Sequence, residues 1–184
     1  MEIVGLLGAK RKSNRLPGKG WRDFGGKPMF VWNTEKGLSL FDRMYVTSDY
    51  DYILDIADDM GSIPIKRTDP KLMDCPNITY YRHCVQFMNG YDILIAIQVN
   101  SPTVSSDIIK KIKELMMTGK YQEIKTCHKD GSDYGSVWAM TKKRLEEYGD
   151  PYNAKPDLWV YDPSIDIHNQ NDFNLALLQL KLKQ

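Results

Sequence analysis

Residues 3–20 read IVGLLGAKRKSNRLPGKG, a short apolar run followed by a loop rich in glycine and positive charge. Residues 10–27 hold seven Lys or Arg and one acid, Asp23. Glycines let backbone N–H groups approach an anion closely, and the cations neutralise that anion. The stretch therefore predicts a strand over Ile3–Leu7 that leads into a loop for binding the phosphates of a nucleotide. The alternative is a solvated basic loop without a ligand, but solubility does not require the glycines and Pro17 that interrupt it.

Length and charge limit the partners that this chain can have. The 184 residues suit one domain with a full core, so we expect a single unit over 1–184. The net charge is +1, but residues 1–31 carry +5 and the remainder carries −4. A basic mouth on an acidic body favours a small anionic ligand, because a long nucleic acid usually needs an extended basic face. We therefore expect no nucleic-acid partner.

The cysteines of the chain predict a reducing compartment, and its hydropathy predicts a soluble protein. Cys75, Cys84 and Cys127 are odd in number and scattered, and none of them forms a CxxC pair. This pattern argues against a disulfide framework and against a zinc site. Neither a signal-peptide core at the N-terminus nor an apolar run of membrane-spanning length is present in the sequence. We expect a soluble, cytoplasmic protein with no membrane partner.

Apolar runs and helical patterns alternate along the chain. The run DILIAIQ over Asp92–Gln98 predicts a central strand, because it is almost wholly apolar and is bounded by a turn. Strand–helix alternation predicts an α/β fold, with a mostly parallel mixed sheet covered on both faces. Ligands then bind beyond the carboxyl ends of the strands. Further strands are predicted at 44–47, 63–65, 123–127, 136–140 and 164–167, and helices at 28–38, 50–60, 78–88, 108–117 and 172–182.

Two common phosphate-binding loops do not fit this sequence. A GxxxxGK[ST] loop requires a spacing that Gly20 and Gly26 miss by one residue, and Lys27 is followed by Pro28. A GxGxxG fingerprint fails because Gly18-Lys19-Gly20 leads to Asp23. What remains is a longer loop with RLPGK at its apex.

That loop resembles the CMP-sugar synthetases, the family of acylneuraminate and 3-deoxy-manno-octulosonate cytidylyltransferases. The family's loop contains Leu-Pro-Gly-Lys-Asn, and a Gly-Gly-Lys-Pro segment begins its first helix. Its other motifs have counterparts here in the same order over most of the chain, so the resemblance implies a three-layer, Rossmann-like nucleotidyltransferase fold. The matching segments are Ala9-Lys10, Ser13–Gly20, Gly25–Pro28, Val46–Asp49, Arg67–Pro70, Gln98–Pro102 and Ile165–Asn169 with Asp172.

The resemblance implies transfer of CMP from CTP to an acceptor hydroxyl, with release of pyrophosphate and with Mg²⁺ as cofactor. It implies Lys19, Arg15 and Asp166 as catalytic residues, and Asp166 with Asn100 as metal ligands. Asp166 has the alternative role of a cap or surface turn, and Asp172 is expected to begin a helix. Asp49 either orients the loop or caps the next helix. The residues implied to bind the nucleotide are Gly8, Ala9, Lys10, Ser13, Arg15, Lys19, Arg67, Asn77, Thr79, Gln98 and Asn100.

Several positions depart from the family pattern. A family Arg is replaced by Lys10, which keeps the charge but loses the bidentate fork. A family Lys is replaced by Asn14, the family's Asn by Gly20, and its second C-terminal Asp by His168, a poor ligand for Mg²⁺. These changes leave reduced activity open.

The acceptor is the least determined part of the prediction. Only residues 129–134 separate two predicted strands where sialic-type enzymes carry an insertion for dimerisation and sugar binding, so a bulky sugar has fewer walls. Three hypotheses stay open: an enzyme for an acidic sugar, a cytidylyltransferase for an alditol phosphate or phosphonate, and a nucleotide-binding relative without turnover. A homodimer is possible by analogy. The acceptor-site candidates are His128, Lys129, Tyr134 and the loop 152–155.

Overall fold

A computed structural model describes residues 1–149 and 155–182 of the chain. Strands and helices alternate through β4, and a hairpin of two strands follows α4. The strands are β1 (Ile3–Gly8), β2 (Arg43–Ser48), β3 (Ile63–Lys66), β4 (Ile93–Gln98), β5 (Glu123–Cys127), β6 (Asp133–Thr141) and β7 (Leu158–Tyr161). The helices are α1 (Met29–Leu40), α2 (Asp51–Asp59), α3 (Asn77–Cys84), α4 (Ser106–Met117), α5 (Lys142–Glu146) and α6 (Gln170–Lys181).

The strands form one mixed, mostly parallel sheet with the order β3-β2-β1-β4-β6-β5-β7. Among the strands of the described residues, β6 alone runs against the others, since it pairs antiparallel with both β4 and β5. The strand order reverses between β1 and β4, whose last residues Gly8 and Gln98 are register partners. In open α/β sheets such a switch point leaves a crevice for a ligand. The sheet thus confirms the predicted fold class and places a cleft beyond Gly8.

Helices cover both faces of this sheet. Apolar side chains of α1, α2 and α4 pack on one face, around the buried Ile95 and Ile97. Side chains of α3 and α5 pack on the other face, around Leu94, Ala96 and Trp138. Helix α6 instead packs against the loop between β1 and α1, in a separate small core. The three-layer arrangement is therefore as predicted, and α6 fastens the basic loop to the C-terminal part of the chain.

One predicted strand is wrong. Residues Ser164–Ile167 lie in an irregular segment, and the edge strand β7 comes just before them. The Ser164 N–H bonds to the Asp162 carboxylate at 2.9 Å, and the Ile167 N–H bonds to the Asn100 carbonyl at 2.9 Å. Because turns and side chains take these backbone groups, they are not available for a strand ladder. Helix boundaries also differ from the predicted ones, most of all at α3, which ends at Cys84 with a 3₁₀ turn over Val85–Phe87, while α6 begins at Gln170.

None of the helices in ranges 1–149 and 155–182 is long and apolar enough to cross a bilayer. The described residues share one sheet, and the single domain over 1–184 stays a prediction.

Candidate functional site

The basic loop is shaped by a tight turn at Leu16-Pro17-Gly18-Lys19. The Lys19 N–H bonds to the Leu16 carbonyl at 3.1 Å, and Gly18 has a φ of +68°. Proline followed by a residue with positive φ is the pattern of a type II turn, in which only glycine adopts the second position without strain. An added Cβ at Gly18 would also lie 2.9 Å from the Trp21 ring. The turn presents Lys19 at the end of the loop.

Contacts from three distant segments fix the loop. Leu16 is buried against Ile167 and Phe173 in the small core around α6. The Arg11 N–H bonds to the Asp49 carboxylate at 2.8 Å, so Asp49 orients the loop. Asp49 does not take its alternative role as the cap of α2. The N-cap residue of that helix is Tyr50, whose side chain makes no capping hydrogen bond.

Arg67 fixes the first residue after β1. It is 5% exposed, and its guanidinium donates to the carbonyls of Ala9 and Leu72. The Nε of Arg67 has no hydrogen-bond partner among the described residues. Arg67 was predicted to bind the nucleotide. Its bonds make it a residue that positions the loop, although it also lines the neighbouring cavity.

Two cavities meet at the carboxyl ends of β1 and β4, and together they form what we call the cleft. The strand-end cavity has a volume of about 190 Å³, and the loop cavity has a volume of about 410 Å³. Gly8, Ala9, Arg67 and Gly20 line the former, whereas Asn14, Arg15, Asn100 and His168 line the latter. Both are lined by Lys10, Ser13, Lys19, Asn77 and Gln98.

Lys19 lies on the boundary between the two cavities. Its ammonium donates a 2.6 Å hydrogen bond to the Ile167 carbonyl. Burial lowers the pKa of Lys19 below its usual 10.5, as do Arg15 and Lys10, while Asp166 and Asp172 oppose that shift. A partly desolvated cation among other cations gains more from an incoming anion than an exposed lysine does. A bound phosphate group would stabilise the charged form of Lys19 in this environment.

Asp166 forms a polar network beside Lys19. Its carboxylate accepts a hydrogen bond from the Asn100 amide and contacts His168 Nε2 at 2.6 Å. The other ring nitrogen of His168, Nδ1, lies 2.6 Å from an Arg15 nitrogen. Because Arg15 only donates, Nδ1 accepts and Nε2 carries the hydrogen towards Asp166. The network thus joins two predicted catalytic residues, and His168 links them.

The oxygen atoms of this network are of the kind that binds Mg²⁺. Asp166 offers a carboxylate and Asn100 an amide carbonyl, both of them hard ligands. No cluster of three or more metal-ligating His, Cys, Asp or Glu side chains occurs within 1–149 and 155–182. One carboxylate still suits Mg²⁺, which usually keeps several waters and binds substrate phosphates.

A buried asparagine that the sequence analysis missed supports the edge of the cleft. Asn33 of α1 is fully buried and donates to the carbonyls of Gln98 and Ser101, at 2.9 and 3.0 Å. This bond pair holds the turn that carries Asn100, while the Gln98 side chain bonds to the Tyr81 hydroxyl. A single asparagine in a helix gives no local signal for this role, because its partners lie more than 60 residues away.

Lys10 and Thr79, two further residues predicted to bind the nucleotide, differ in whether they line the cleft. Lys10 lines both cavities but already pairs with the Asp74 carboxylate, so a phosphate must compete with that acid. Thr79 is exposed on α3, and its side chain is not among those lining the cleft. Asn77, at the start of the same helix, lines both cavities. Asp172 completes the capping box of α6, as expected for a residue that begins a helix.

The predicted acceptor residues lie apart from the cleft. His128 and Lys129 line a separate cavity of about 370 Å³, together with Asp162. Tyr134 is buried, and its hydroxyl bonds to Ser101 and Ser164 at 2.8 and 3.0 Å. Tyr134 is therefore a core residue. Of the predicted loop 152–155, residues 152–154 lie outside the described residues.

Comparison with known proteins accords with this geometry. A cytidylyltransferase family model matches residues 4–148. The 3-deoxy-manno-octulosonate cytidylyltransferase of Bdellovibrio bacteriovorus is 25% identical over 128 residues, which are 68% of this chain and 50% of that protein. The pseudaminic acid cytidylyltransferase of Campylobacter jejuni is 25% identical over 122 residues, 62% of this chain and 53% of that protein. The chain spans about half the length of these curated relatives.

A solved structure shares the fold. The structure of CMP:2-keto-3-deoxy-manno-octonic acid synthetase complexed with CTP matches with a TM-score of 0.79 and 15% identity, covering 100% of both chains. At that identity the likeness shows the fold alone. The family match covers most of the chain, however, and the chain belongs to the cytidylyltransferase family.

Proposed function

We propose that this chain transfers CMP from CTP to a small acidic sugar and releases pyrophosphate. The observation that carries the proposal is that Lys19 lines the switch-point cleft and bonds to the Ile167 carbonyl, next to Asp166, since a cation in the cleft and a carboxylate beside it can serve a polyphosphate and its metal. Family membership and the names of the relatives support the same reaction.

The reaction needs positioning and charge stabilisation more than covalent chemistry. An acceptor hydroxyl oxygen forms a bond to the α-phosphorus and gives up its proton to the solvent. The bond from that phosphorus to the bridging oxygen breaks, and pyrophosphate leaves with the electron pair. Lys19 and Arg15 stabilise the charge on the phosphates, and the Gly8–Ser13 backbone lines the cradle. Asp166 and Asn100 would hold Mg²⁺, which supplies charge neutralisation on the phosphate oxygens when bound.

The strand-end cavity suits the nucleoside. Gln98 and Asn77 place amide groups there, and the neighbouring backbone adds further donors and acceptors. A cytosine edge offers an amino donor and two acceptors, so these groups can pair with it. Thermal stabilisation that is larger with CTP than with ATP, GTP or UTP would support this assignment.

The test of the function is pyrophosphate release from CTP and Mg²⁺ with a panel of acceptors. The panel contains 3-deoxy-manno-octulosonate, pseudaminate, ribitol 5-phosphate and a phosphonate, and Lys19→Met serves as the inactive control. Pyrophosphate release with an acidic sugar supports the proposal. Release only with ribitol 5-phosphate or only with the phosphonate would mean that the acceptor is not an acidic sugar but a compound of that class. CTP binding without release from any acceptor would identify a non-catalytic relative.

A further inference from the structure

A third cavity adjoins the cleft at the start of α3. It has a volume of about 330 Å³ and lies between the α3 start and strands β5 and β6. Cys75 and Asn77 line both this cavity and the strand-end cavity, and Asn77 also lines the loop cavity. Cys75 and Asn77 therefore form the wall that the third cavity shares with the cleft. We call this cavity the Lys125 pocket; its other lining residues are Pro76, Ile78, Lys125, Asp133, Gly135 and Trp138.

Lys125 is a buried cation with unused donors. The residue is 7% exposed, and its ammonium lies 4.1 Å from the centre of the Trp138 ring. Within the described part of the chain its hydrogen-bond partner is Asp133 alone, at 3.2 Å. An ammonium has three N–H groups, so two of them are left for a ligand. Burying a charge is costly unless it is paired and hydrogen-bonded, and an anion in the pocket would complete that pairing.

Asp133 does not make this a closed ion pair. Its side chain is 57% exposed, against 8% for Lys125. The carboxylate is thus largely hydrated, while the ammonium is not. An exposed carboxylate gives only a weak pair, and it can turn towards water or accept a hydrogen bond from a bound hydroxyl. The net attraction for an anion inside the pocket therefore comes from Lys125.

We propose that the Lys125 pocket binds the anionic group, a carboxylate or a phosphate monoester, of the acceptor. This rests on the proposed nucleotidyl transfer and assigns its acceptor subsite. The volume equals roughly ten water molecules, which suits a small polyol acid. The Trp138 ring supplies an apolar wall, and an acceptor held by its anion on Lys125 extends past Asn77, so that one of its hydroxyls faces the cleft.

The indole of Trp138 is a suitable local reporter. Its Nε1–H donates to the buried Glu123 carboxylate at 2.8 Å, so it should give a defined ¹⁵N–¹H resonance, which Trp138→Phe identifies. The probes are 3-deoxy-manno-octulosonate, ribitol 5-phosphate and neutral ribitol, titrated with and without CTP in EDTA to prevent turnover. Variants are Lys125→Met, Lys125→Arg and, as a charge-matched control on the exposed surface, Lys120→Met.

We expect at least one anionic probe to shift the Trp138 resonance saturably and ribitol to leave it unmoved. Lys125→Met should weaken that binding by at least about 10-fold, while Lys125→Arg and Lys120→Met stay within about 3-fold of the parent protein. No shift with either anion, or equal binding by Lys125→Met, would overturn the proposal. In the titration with CTP alone, binding is followed on resonances other than that of the Trp138 indole. If CTP titrated with Mg²⁺ in the absence of acceptor fails to bind while an anion still requires Lys125, only the nucleotidyl-transfer proposal falls. If CTP binds and no anion does, only the pocket assignment falls.

Discussion

The Lys19 ammonium donates a 2.6 Å hydrogen bond to the carbonyl of Ile167, a residue 148 positions further along the chain. The bond joins the basic loop to the segment that carries Asp166. It also holds Lys19 in position before any ligand arrives, which lowers the ordering cost of binding. The C-terminal segment thus contacts the proposed phosphate-binding loop through its backbone, next to the Asp166 carboxylate.

Removing the Lys19 charge should weaken CTP binding strongly. We expect Lys19→Met to raise the Kd for CTP by roughly 10- to 100-fold, because hydrogen bonds to charged groups contribute about 1.5–3 kcal/mol. Lys12→Met is the control, since Lys12 is an exposed residue of the same loop and its loss changes the net charge equally. Isothermal titration calorimetry measures both. Equal losses in the two variants would mean that the loop acts only through its general field.

The lowered pKa of Lys19 predicts an alkaline limit for CTP binding. Below that pKa the ammonium attracts phosphate, and the attraction is lost as pH rises through it, at a pH under the usual 10.5. For stability the sign is opposite. Between the lowered pKa and 10.5 the unfolded chain binds more protons, so the cost of burying charged Lys19 fades as pH rises.

Calorimetric titrations with CTP from about pH 7 to about pH 10 test this dependence. The parent protein should lose affinity as the pH rises towards the lowered pKa of Lys19. Lys19→Arg should not, because a guanidinium stays charged throughout. An alkaline loss of the same size in Lys19→Arg would assign the titration to another group.

The sequence predicted the fold well where local pattern decides it. The apolar run of β4 and the LPGK turn each depend on residues that are adjacent in the chain. The edge strand β7 was missed although Leu158–Tyr161 are strand-forming residues, because the run is only 4 residues long and lies beside a turn-rich stretch.

The site was predictable only in part, for a related reason. Glycines and cations in one loop indicate a phosphate site by themselves, and the family resemblance added Asp166. The roles of Asn33 and Lys125 depend on carbonyls, rings and cavities that the fold brings from far along the chain. No local pattern encodes such contacts. The mistaken assignment of Tyr134 has the same origin, since its buried hydroxyl network joins three separate segments.

Substitutions at Asp166 and at Asp172 should distinguish metal binding from helix capping. Asp166→Asn keeps the shape of the side chain but removes the charge, so we expect turnover to fall by roughly 100-fold and the Mg²⁺-dependent gain in CTP affinity to disappear. Binding without metal should change little. Asp172→Ala should instead cost about 1 kcal/mol of stability, because it removes the carboxylate that accepts the backbone N–H bonds of His168 and Asn169. CTP titrations with and without Mg²⁺, together with urea denaturation, measure both effects. A full Mg²⁺ effect in Asp166→Asn would rule out Asp166 as a ligand.

The end of β1 has no room for a side chain. A Cβ added at Gly8 would lie 2.8 Å from the hydroxyl oxygen of Tyr80 and 2.9 Å from its ring, and Tyr80 is buried beneath the cleft. Gly8→Ala must therefore displace either the strand end or the ring, at a cost of about 1–3 kcal/mol in unfolding free energy. Since both line the strand-end cavity, CTP affinity should fall as well. Gly149→Ala is the control, because an added Cβ there meets none of the described residues within 4 Å. Urea denaturation and CTP titration of the two variants decide the matter, and parent-like values for Gly8→Ala would show that the cleft relaxes freely around this position.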